Sequence, residues 1–407
     1  MRNLKGQGLA LSGGGYRASL FHLGVTRRLH ELGVLQNTTR LSSVSGGSIL
    51  AGFLAHKLLE QGETRLAFSD WEAQISAPFR RFVRKDIRTG LFLRHVLWNW
   101  AFPGPRAKGL ERAFRKRLGS RRLIELPRAD DGVEFIFLAT DIKEGVLWRF
   151  SREKLGNYRA GFETPPDSLR ISHAVAASAS FPPIFGPIKL RRDGRETAYL
   201  TDGGVYDNTG MQPIMDHNKV VLISDAGAAF DVKVPKSIGS RIMRYVDIGR
   251  NQVGALRRRI VLRKLDTDYK TLRDSTEIDK PTGAFWRLES KREHFLDGAD
   301  GQVLAEIAEL ESDWYGYPDT DEQTDLVYTH IGEIRTDMDS FTSAEAKILE
   351  NHGYVQADLA IRRHARHLGD LSVEFEIPHR DVIDESTARE ALKRSHSRLA
   401  FWCRWFD

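Results

Sequence analysis

Cysteine is almost absent from this sequence of 407 residues, because Cys403 is the only one. A single cysteine excludes an intrachain disulfide, and the lack of a Cys/His cluster argues against a structural zinc site. Long apolar runs are missing too, since none approaches the roughly 18–20 residues that a membrane-spanning helix needs. The first 15 residues lack the apolar core of a secretory signal peptide. These absences favour a reducing compartment, and we expect a cytoplasmic location.

The composition that remains is typical of a globular protein, with 41% hydrophobic and 29% charged residues. The length allows one large domain with insertions, or two domains. The net charge of +6 is unevenly spread: residues 106–122 hold eight Lys/Arg against one acid, and residues 80–94 hold six against one. Such stretches can meet nucleic acid, anionic lipid or water. Because no base-reading motif accompanies the charge, we expect no nucleic-acid partner.

The apolar pattern alternates between short buried runs and helical spacing. Residues 8–12, 133–139 and 220–224 are typical of strands, and helical periodicity follows the first of them. This alternation predicts an α/β fold in which helices cover a sheet. Residues 70–125 interrupt it and are interpreted as a basic and aromatic helical insertion. Residues 231–300 are charged and weakly periodic, so 231–335 is expected to form a variable insertion, with a mobile loop as the alternative.

A serine followed by two glycines stands out in residues 41–50, LSSVSGGSIL. Small neighbours on both sides of Ser45 allow a sharp turn from strand to helix, where a nucleophilic hydroxyl gains from the unpaired N–H groups of the helix N-terminus. The usual pattern is G-x-S-x-G, and Ser43 replaces its first glycine here. The alternative is a serine that caps the helix, with glycines for packing.

Three glycines follow the first strand in residues 12–17, SGGGYR. Consecutive N–H groups in such a loop cradle an anion, which is either a bound phosphate or an oxyanion in a transition state. The glycine spacing of a dinucleotide-binding fold and the Lys-Ser/Thr pair of a P-loop are both missing. Anion binding is therefore expected, and a tight turn is the alternative.

The third motif is LTDGGV, residues 200–205. An ordinary Asp-Gly turn would explain it. The functional interpretation is that Asp202 ends a strand and serves as a base. A carboxylate in an apolar pocket has a raised pKa, so it accepts a proton more readily than in water.

In this order, the three motifs resemble those of the patatin-like phospholipase family. The segments SHAVAASASFPPIFGPI (172–188), TDGGVYDNTG (201–210) and NHGYVQADLAI (351–361) are similar to family segments as well. The resemblance implies a three-layer α/β/α sandwich with helical insertions. It places the catalytic domain in residues 1–365 and leaves 366–407 as a C-terminal extension.

The resemblance also implies a Ser-Asp dyad, with Ser45 as nucleophile and Asp202 as general base. The N–H groups of Gly13, Gly14 and Gly15 would form the oxyanion hole, with a contribution from Gly46. Arg17 matches a position where phospholipase-type relatives carry an arginine; it would pair with a lipid phosphate or hold helix contacts. Neither a metal nor another cofactor is implied.

The expected function is hydrolysis of carboxylic esters in phospholipids, of the phospholipase A or lysophospholipase type, through an acyl-serine intermediate. Two alternatives stay open. One is a phosphate-ligand binding module without hydrolase activity. The other is a Ser-His-Asp esterase, with His217 or His330 as the third member.

Aromatic residues lie between the two basic stretches, in LFLRHVLWNWAF (91–102). Aromatics with Lys/Arg flanks suit a bilayer interface, so we expect the region 80–122 to dock on anionic membrane. The alternative is that the aromatics are core and the charges a solvated face. For the segment AFWCRWF (400–406), the same two interpretations, bilayer contact and core packing, stay open. The sequence also allows an oligomer.

Overall fold

The computed structural model describes residues 4–87, 107–182, 185–227, 238–265, 281–309, 326–393 and 395. Its strands are β1 Gln7–Leu11, β2 Thr38–Val44, β3 Glu134–Asp141, β4 Val146–Phe150, β5 Leu155–Asn157, β6 Gly161–Glu163, β7 Ile188–Arg192, β8 Arg195–Asp202, β9 Val220–Asp225 and β10 Thr282–Arg287. They form one mixed sheet in the order β10–β9–β1–β2–β3–β4–β5–β6, and the hairpin of β7 and β8 joins it through β3.

The first half of this sheet is parallel. β10, β9, β1, β2 and β3 each run parallel to their neighbours, so their carboxyl ends meet at one edge. β1 and β3 are buried along their whole length, as expected for strands covered on both faces. β1, β3 and β9 confirm the strands predicted at 8–12, 133–139 and 220–224.

The described α-helices are α1 Gly15–Glu31, α2 Gly46–Gln61, α3 Ala77–Val83, α4 Ala107–Leu118, α5 Ile171–Ser178, α6 Gln212–Met215, α7 Ile238–Leu265, α8 Glu293–Leu296, α9 Gly301–Glu309, α10 Ser343–His364 and α11 Glu385–Leu392. Shorter 3-10 or π turns lie at Leu35–Asn37, Glu72–Ser76, Leu123–Glu125, Gly203–Val205, Val327–Ile331, Arg366–Leu368 and Arg380–Val382.

Helices cover both faces of the sheet. In β1, Leu9 and Leu11 belong to the main core, whereas Ala10 packs on the opposite face with Ile214 of α6 and Val261 of α7. This alternation is the period of two that a strand with two buried faces requires. The predicted three-layer α/β/α architecture is thereby confirmed.

The main core is closed by α1 packed against α10. A Cβ atom at Gly24 of α1 would lie 1.8 Å from the carbonyl oxygen of Glu350, so only glycine permits this approach, and Gly353 is equally constrained. Arg28 and Asp358, both buried, form an ion pair across the same interface at 2.8 Å. The helix α10 is therefore an integral part of the fold.

One expected insertion needs correction. Residues 282–287 form β10, which pairs parallel with β9 and extends the central sheet, so 231–335 does not lie wholly outside it. The described part of 70–125 is helical, as predicted, and places Phe79 and Phe114 in the main core. The expected C-terminal extension adds Ala388 and Leu392 to that core.

Within the described ranges, no helix combines the length with the apolar character that crossing a bilayer requires.

Candidate active site

Ser45 occupies the turn between β2 and α2. Its backbone has φ 48° and ψ −114°, and it is the one non-glycine residue with positive φ in the described ranges. A side chain in that region is strained, and such strain persists where the surrounding structure enforces it. The Ser45 N–H donates to Oγ of Ser178 at 2.9 Å, which helps to hold the turn. The geometry is that of a sharp strand–turn–helix elbow that presents a serine.

Steric crowding explains why two glycines follow Ser45. A Cβ atom at Gly46 would lie 2.1 Å from the carbonyl oxygen of Gly15, and one at Gly47 would lie 2.3 Å from that of Leu11. Both distances are far inside van der Waals contact. The glycines therefore let the start of α2 press against the glycine loop that follows β1, which brings the two loops together.

The glycine loop is anchored by Asn208, a residue that sequence analysis did not single out. The Gly13 N–H donates to the Asn208 carbonyl oxygen at 3.0 Å, and the Asn208 amide Nδ2 donates back to the Gly13 carbonyl at 3.3 Å. Gly13 therefore does not offer a free N–H to an oxyanion, which corrects the expectation for this residue. No acceptor in the described part of the chain pairs with the N–H groups of Gly14 and Gly15.

Gly46 shares that property, because no described acceptor pairs with its N–H group. It lies at the first position of α2, directly after Ser45. Gly14, at φ 143°, and Gly15, at φ 59°, line the same cleft as Ser45. Three backbone donors thus remain near the serine, two from the loop and one from the helix N-terminus.

Asp202 ends β8 and is 1% exposed. Its Oδ1 atom accepts from the Gly204 N–H at 2.7 Å, and Oδ2 has no hydrogen bond of ordinary geometry to a described residue. Burial raises the pKa of Asp202 to about 6, and the neighbouring Ser45 hydroxyl, the Gly204 N–H and the charge of Arg250 oppose this rise. The carboxyl group is thus a stronger base than an exposed aspartate.

Ser45, 9% exposed, and Asp202 line one cleft of about 660 Å³. Aromatic side chains of Phe181, Phe185 and Tyr206 form part of its wall. The helix α7 supplies much of the rest, including Arg250, whose guanidinium lies 5.5 Å from the centre of the Phe181 ring. Apolar rings and guanidinium groups around a serine suit a ligand with an apolar and an anionic part.

A second cleft, of about 600 Å³, lies beside the β7–β8 hairpin. Its walls include Lys143, Trp148 and Arg192, and neither Ser45 nor Asp202 contributes to it. Of these two clefts, only the one that holds Ser45 is lined by the glycine loop, the serine elbow and Asp202. It is called the α7 cleft below.

The structure places Arg17 away from that cleft. Arg17 is 1% exposed, and its guanidinium donates to the carbonyl oxygens of Gly332 (2.8 Å), Ile334 (3.0 Å) and Ala226 (3.0 Å). Burial lowers its pKa to about 10, against the opposing influence of Glu289 and Asp225. The expected pairing with a lipid phosphate is corrected: the side chain holds two loop segments, at Ala226 and at residues 332–334, on α1.

The two histidines considered for a triad lie elsewhere. His217 Nδ1 donates to the Pro213 carbonyl oxygen (2.9 Å), and the ring lines a small pocket with Arg40 and Glu134, on a different part of the surface. His330 lies in the turn Val327–Ile331. Among the described residues that line the α7 cleft, none is a histidine.

His22 was missed by sequence analysis and lies fully buried beneath the glycine loop. Its Nε2 lies 3.0 Å from the Ser12 carbonyl, and Nδ1 lies 2.9 Å from Oγ of Ser224. Because a carbonyl oxygen only accepts, Nε2 carries the proton and Nδ1 accepts from the serine hydroxyl. Burial lowers the pKa of His22 to about 3, so the ring stays neutral and fixes the strand end before Gly13. A lone histidine inside a helical pattern carries no signal of this role.

Acidic side chains do occur around the cleft. Nevertheless, no cluster of three or more His, Cys, Asp or Glu side chains in the described ranges is arranged to hold a metal ion.

The chain is similar to several known proteins. The family model described as patatin-like phospholipase matches residues 9–215. The YqhO protein of Bacillus subtilis (strain 168) is 28% identical over 177 residues, which are 42% of this chain and 54% of that protein. The structure of human GIVD cytosolic phospholipase A2 in complex with methyl gamma-linolenyl fluorophosphonate and terbium chloride has a TM-score of 0.50 at 14% identity, covering 96% of this chain and 60% of that one.

The likeness to the human phospholipase shows a shared fold. VipD from Legionella pneumophila is more distant, with a TM-score of 0.35 at 16% identity over 97% of this chain and 75% of that one. The chain spans a little over half the length of YqhO and of the human phospholipase.

Proposed function

The chain belongs to the patatin-like phospholipase family, and from that premise we propose that it is a lipid acyl hydrolase that cleaves carboxylic ester bonds of phospholipids. The reaction is of the phospholipase A or lysophospholipase type. The observation that carries the proposal is the strained backbone of Ser45, which holds its hydroxyl in the same cleft as the buried carboxyl of Asp202.

In the proposed mechanism, Ser45 Oγ attacks the carbonyl carbon of the ester and Asp202 accepts the hydroxyl proton. The N–H groups of Gly14, Gly15 and Gly46 stabilise the negative oxygen of the tetrahedral intermediate. The intermediate collapses to an acyl-Ser45 ester, and the alcohol leaves with the proton from Asp202. Water then attacks the acyl carbon, Asp202 accepts its proton, and the fatty acid is released as Ser45 regains its hydrogen.

The cleft chemistry supports a phospholipid substrate. Phe181, Phe185 and Tyr206 offer apolar surface to an acyl chain, and Arg250 and Arg258 offer positive charge to a phosphate. With Arg17 occupied by backbone carbonyls, these arginines of α7 take the place that sequence analysis gave to Arg17.

The positive wall also favours a second candidate, a module that binds a phosphate ligand without hydrolysis. The two candidates differ at Ser45. A binding module needs no reactive hydroxyl, whereas the hydrolase requires one.

Covalent labelling tests the choice. The protein is treated with a fluorophosphonate and digested, and the modified peptide is identified by mass spectrometry. We expect modification at Ser45, none in Ser45→Ala, and full labelling in Ser372→Ala, which removes an exposed hydroxyl elsewhere. Release of fatty acid from phosphatidylcholine should follow the same pattern. An unlabelled Ser45 in a folded protein that binds phosphate would favour the binding module.

A further inference from the structure

Exposed apolar side chains are concentrated on α7. Of the fourteen large apolar side chains exposed in the described ranges, eight lie on this one helix. Patches of this kind on a protein surface are typical of interaction sites.

Five of these side chains, together with Gly249, form a stripe. Ile242, Val246, Gly249, Val253, Leu256 and Ile260 follow one another at spacings of four and three residues. That spacing places them on one face of a helix. All six are exposed. At 1.5 Å per residue, the stripe extends over roughly 27 Å. A neighbouring side of the helix packs on the fold, since Val261, about 100° around the axis from Ile260, is buried against the sheet and Arg257 pairs with Asp207 at 3.1 Å.

Positive charge accompanies the stripe. The helix carries eight Lys/Arg and one acid, Asp247. Arg259 and Arg263 are exposed, and their positions on the helix lie beside the apolar face. An apolar face with Lys/Arg along its side is the pattern of helices that lie in the interface of an anionic bilayer.

The helix also lines the cleft that holds Ser45. Tyr245, Val246 and Val253 belong both to the exposed part of α7 and to the cleft wall. A surface in contact with the stripe therefore adjoins the entrance to the candidate active site.

The positive charge of α7 favours one of the possible partners for its apolar stripe. A second copy packed on the same stripe would bring two positive helices together, which is unfavourable in an apolar contact. An anionic lipid surface neutralises them and also covers the apolar side chains. We propose that α7 is the membrane-docking helix, that its stripe enters the interface of anionic lipid, and that docking places the cleft entrance at the bilayer. This inference deepens the proposed function and names the surface that meets the substrate.

The region 80–122, expected from sequence to dock, is the competing surface. Residues 91–102, with its aromatics, lie outside the described residues. In α4, the apolar side chains of Leu110, Phe114 and Leu118 are buried, and the exposed side chains include Arg112 and Lys116. This helix therefore offers charge without an apolar face.

Co-sedimentation with vesicles tests the proposal, using the full chain with Ser45→Ala so that docking is measured without hydrolysis. Vesicles of phosphatidylcholine are compared with vesicles that also contain phosphatidylglycerol. Ile242→Ser with Leu256→Ser removes two side chains that are each 57% exposed. The matched control is Ile142→Ser with Leu304→Ser, at 53% and 41% exposure on other elements.

We expect the α7 pair to weaken binding to anionic vesicles at least about tenfold, and the control pair to leave it unchanged. Arg259→Glu with Arg263→Glu should weaken it to a similar degree, and the loss should shrink at high salt. Thermal melts confirm that each variant is folded.

Three results would overturn the inference. One is an absence of binding to either vesicle; hydrolysis of a soluble ester would then still stand, which separates the two proposals. Another is loss of binding in Arg112→Glu with Lys116→Glu while both α7 pairs bind normally. The last is a stable dimer that the α7 apolar pair dissociates without a change in vesicle binding.

Discussion

Asn208 binds both the N–H and the carbonyl group of Gly13. The Asn208 carbonyl accepts the Gly13 N–H at 3.0 Å, and the Asn208 side chain donates to the Gly13 carbonyl at 3.3 Å. The peptide unit that leads into Gly14 is thereby fixed in orientation. An oxyanion hole is effective when its donors are positioned before the reaction. Asn208 is therefore a positioning residue for the proposed donors Gly14 and Gly15.

Asn208→Ala should lower kcat about fivefold, because it removes one hydrogen bond worth about 1 kcal/mol from the loop and leaves the backbone bond intact. KM should change little. Steady-state kinetics on a soluble short-chain ester provide the measurement. The matched control is Asn251→Ala, which alters an exposed asparagine that also lines the cleft. Equal effects from the two variants would contradict the positioning role.

Ser45→Ala and Asp202→Asn should each reduce hydrolysis by about a thousandfold or more, and the double variant should be no worse than the single ones. Residues that act as one unit are not additive. The measurement is kcat/KM for the four proteins of the cycle. If Asp202→Asn retained near-normal activity, another base would serve Ser45, and the Ser-Asp dyad would have to be abandoned.

Arg17→Gln should lower the free energy of unfolding by about 3 kcal/mol, because three buried carbonyl oxygens lose their donor. The preference for phospholipid over an uncharged ester should not change in the folded fraction. Arg250→Gln, in the cleft wall, is the comparison and should shift that preference. Urea unfolding and kinetics on both substrates are required. An Arg17→Gln protein of full stability that loses only phospholipid hydrolysis would restore its role as a phosphate ligand.

Local sequence signals were sufficient to predict that Ser45, Asp202 and the glycine loop lie at strand ends, since each is marked by adjacent glycines. They could not reveal that Asn208, far along the chain, occupies the N–H of Gly13, because that pairing depends on how β1 and the segment after β8 meet. The phosphate-binding role expected for Arg17 was wrong for the same reason: its three acceptors come from residues 226, 332 and 334, far along the chain.

The stripe on α7 illustrates another limit. A spacing of three and four residues predicts an apolar helix face, but the same spacing in α10 is covered by the core. Only tertiary packing tells an exposed face from a buried one. β10 was missed because residues 282–287, TGAFWR, follow a long charged segment and lack the apolar run of β9.

The activity of the free protein should fall in acid with a midpoint near pH 6, where Asp202 becomes protonated and can no longer accept the Ser45 proton. A profile of kcat/KM against pH on a soluble ester measures it. Ionisation of a carboxyl has little enthalpy, so the midpoint should barely move with temperature. A midpoint that falls clearly on warming would indicate an imidazole and thus a histidine base.

Asp202→Asn should make the folded protein more stable at neutral pH. Burial raises the pKa of Asp202 from its ordinary value of 3.8 to about 6, so folding disfavours the ionised form. Below pH about 4, both the folded and the unfolded state bind the proton, and the wild type loses nothing. Above pH about 6 both states are ionised, and the full difference, roughly 3 kcal/mol, counts against the wild-type fold.

The stability gained by Asp202→Asn should therefore rise as the pH increases from about 4 to about 6 and then stay constant. Unfolding in urea at a series of pH values measures it. Asp193→Asn, at an exposed aspartate, is the matched control and should show no such rise. A catalytic carboxylate kept at a cost in stability is expected where function opposes packing. If the variant is less stable than the wild type at every pH, Asp202 contributes to the fold as an ionised group and is a poor base for Ser45.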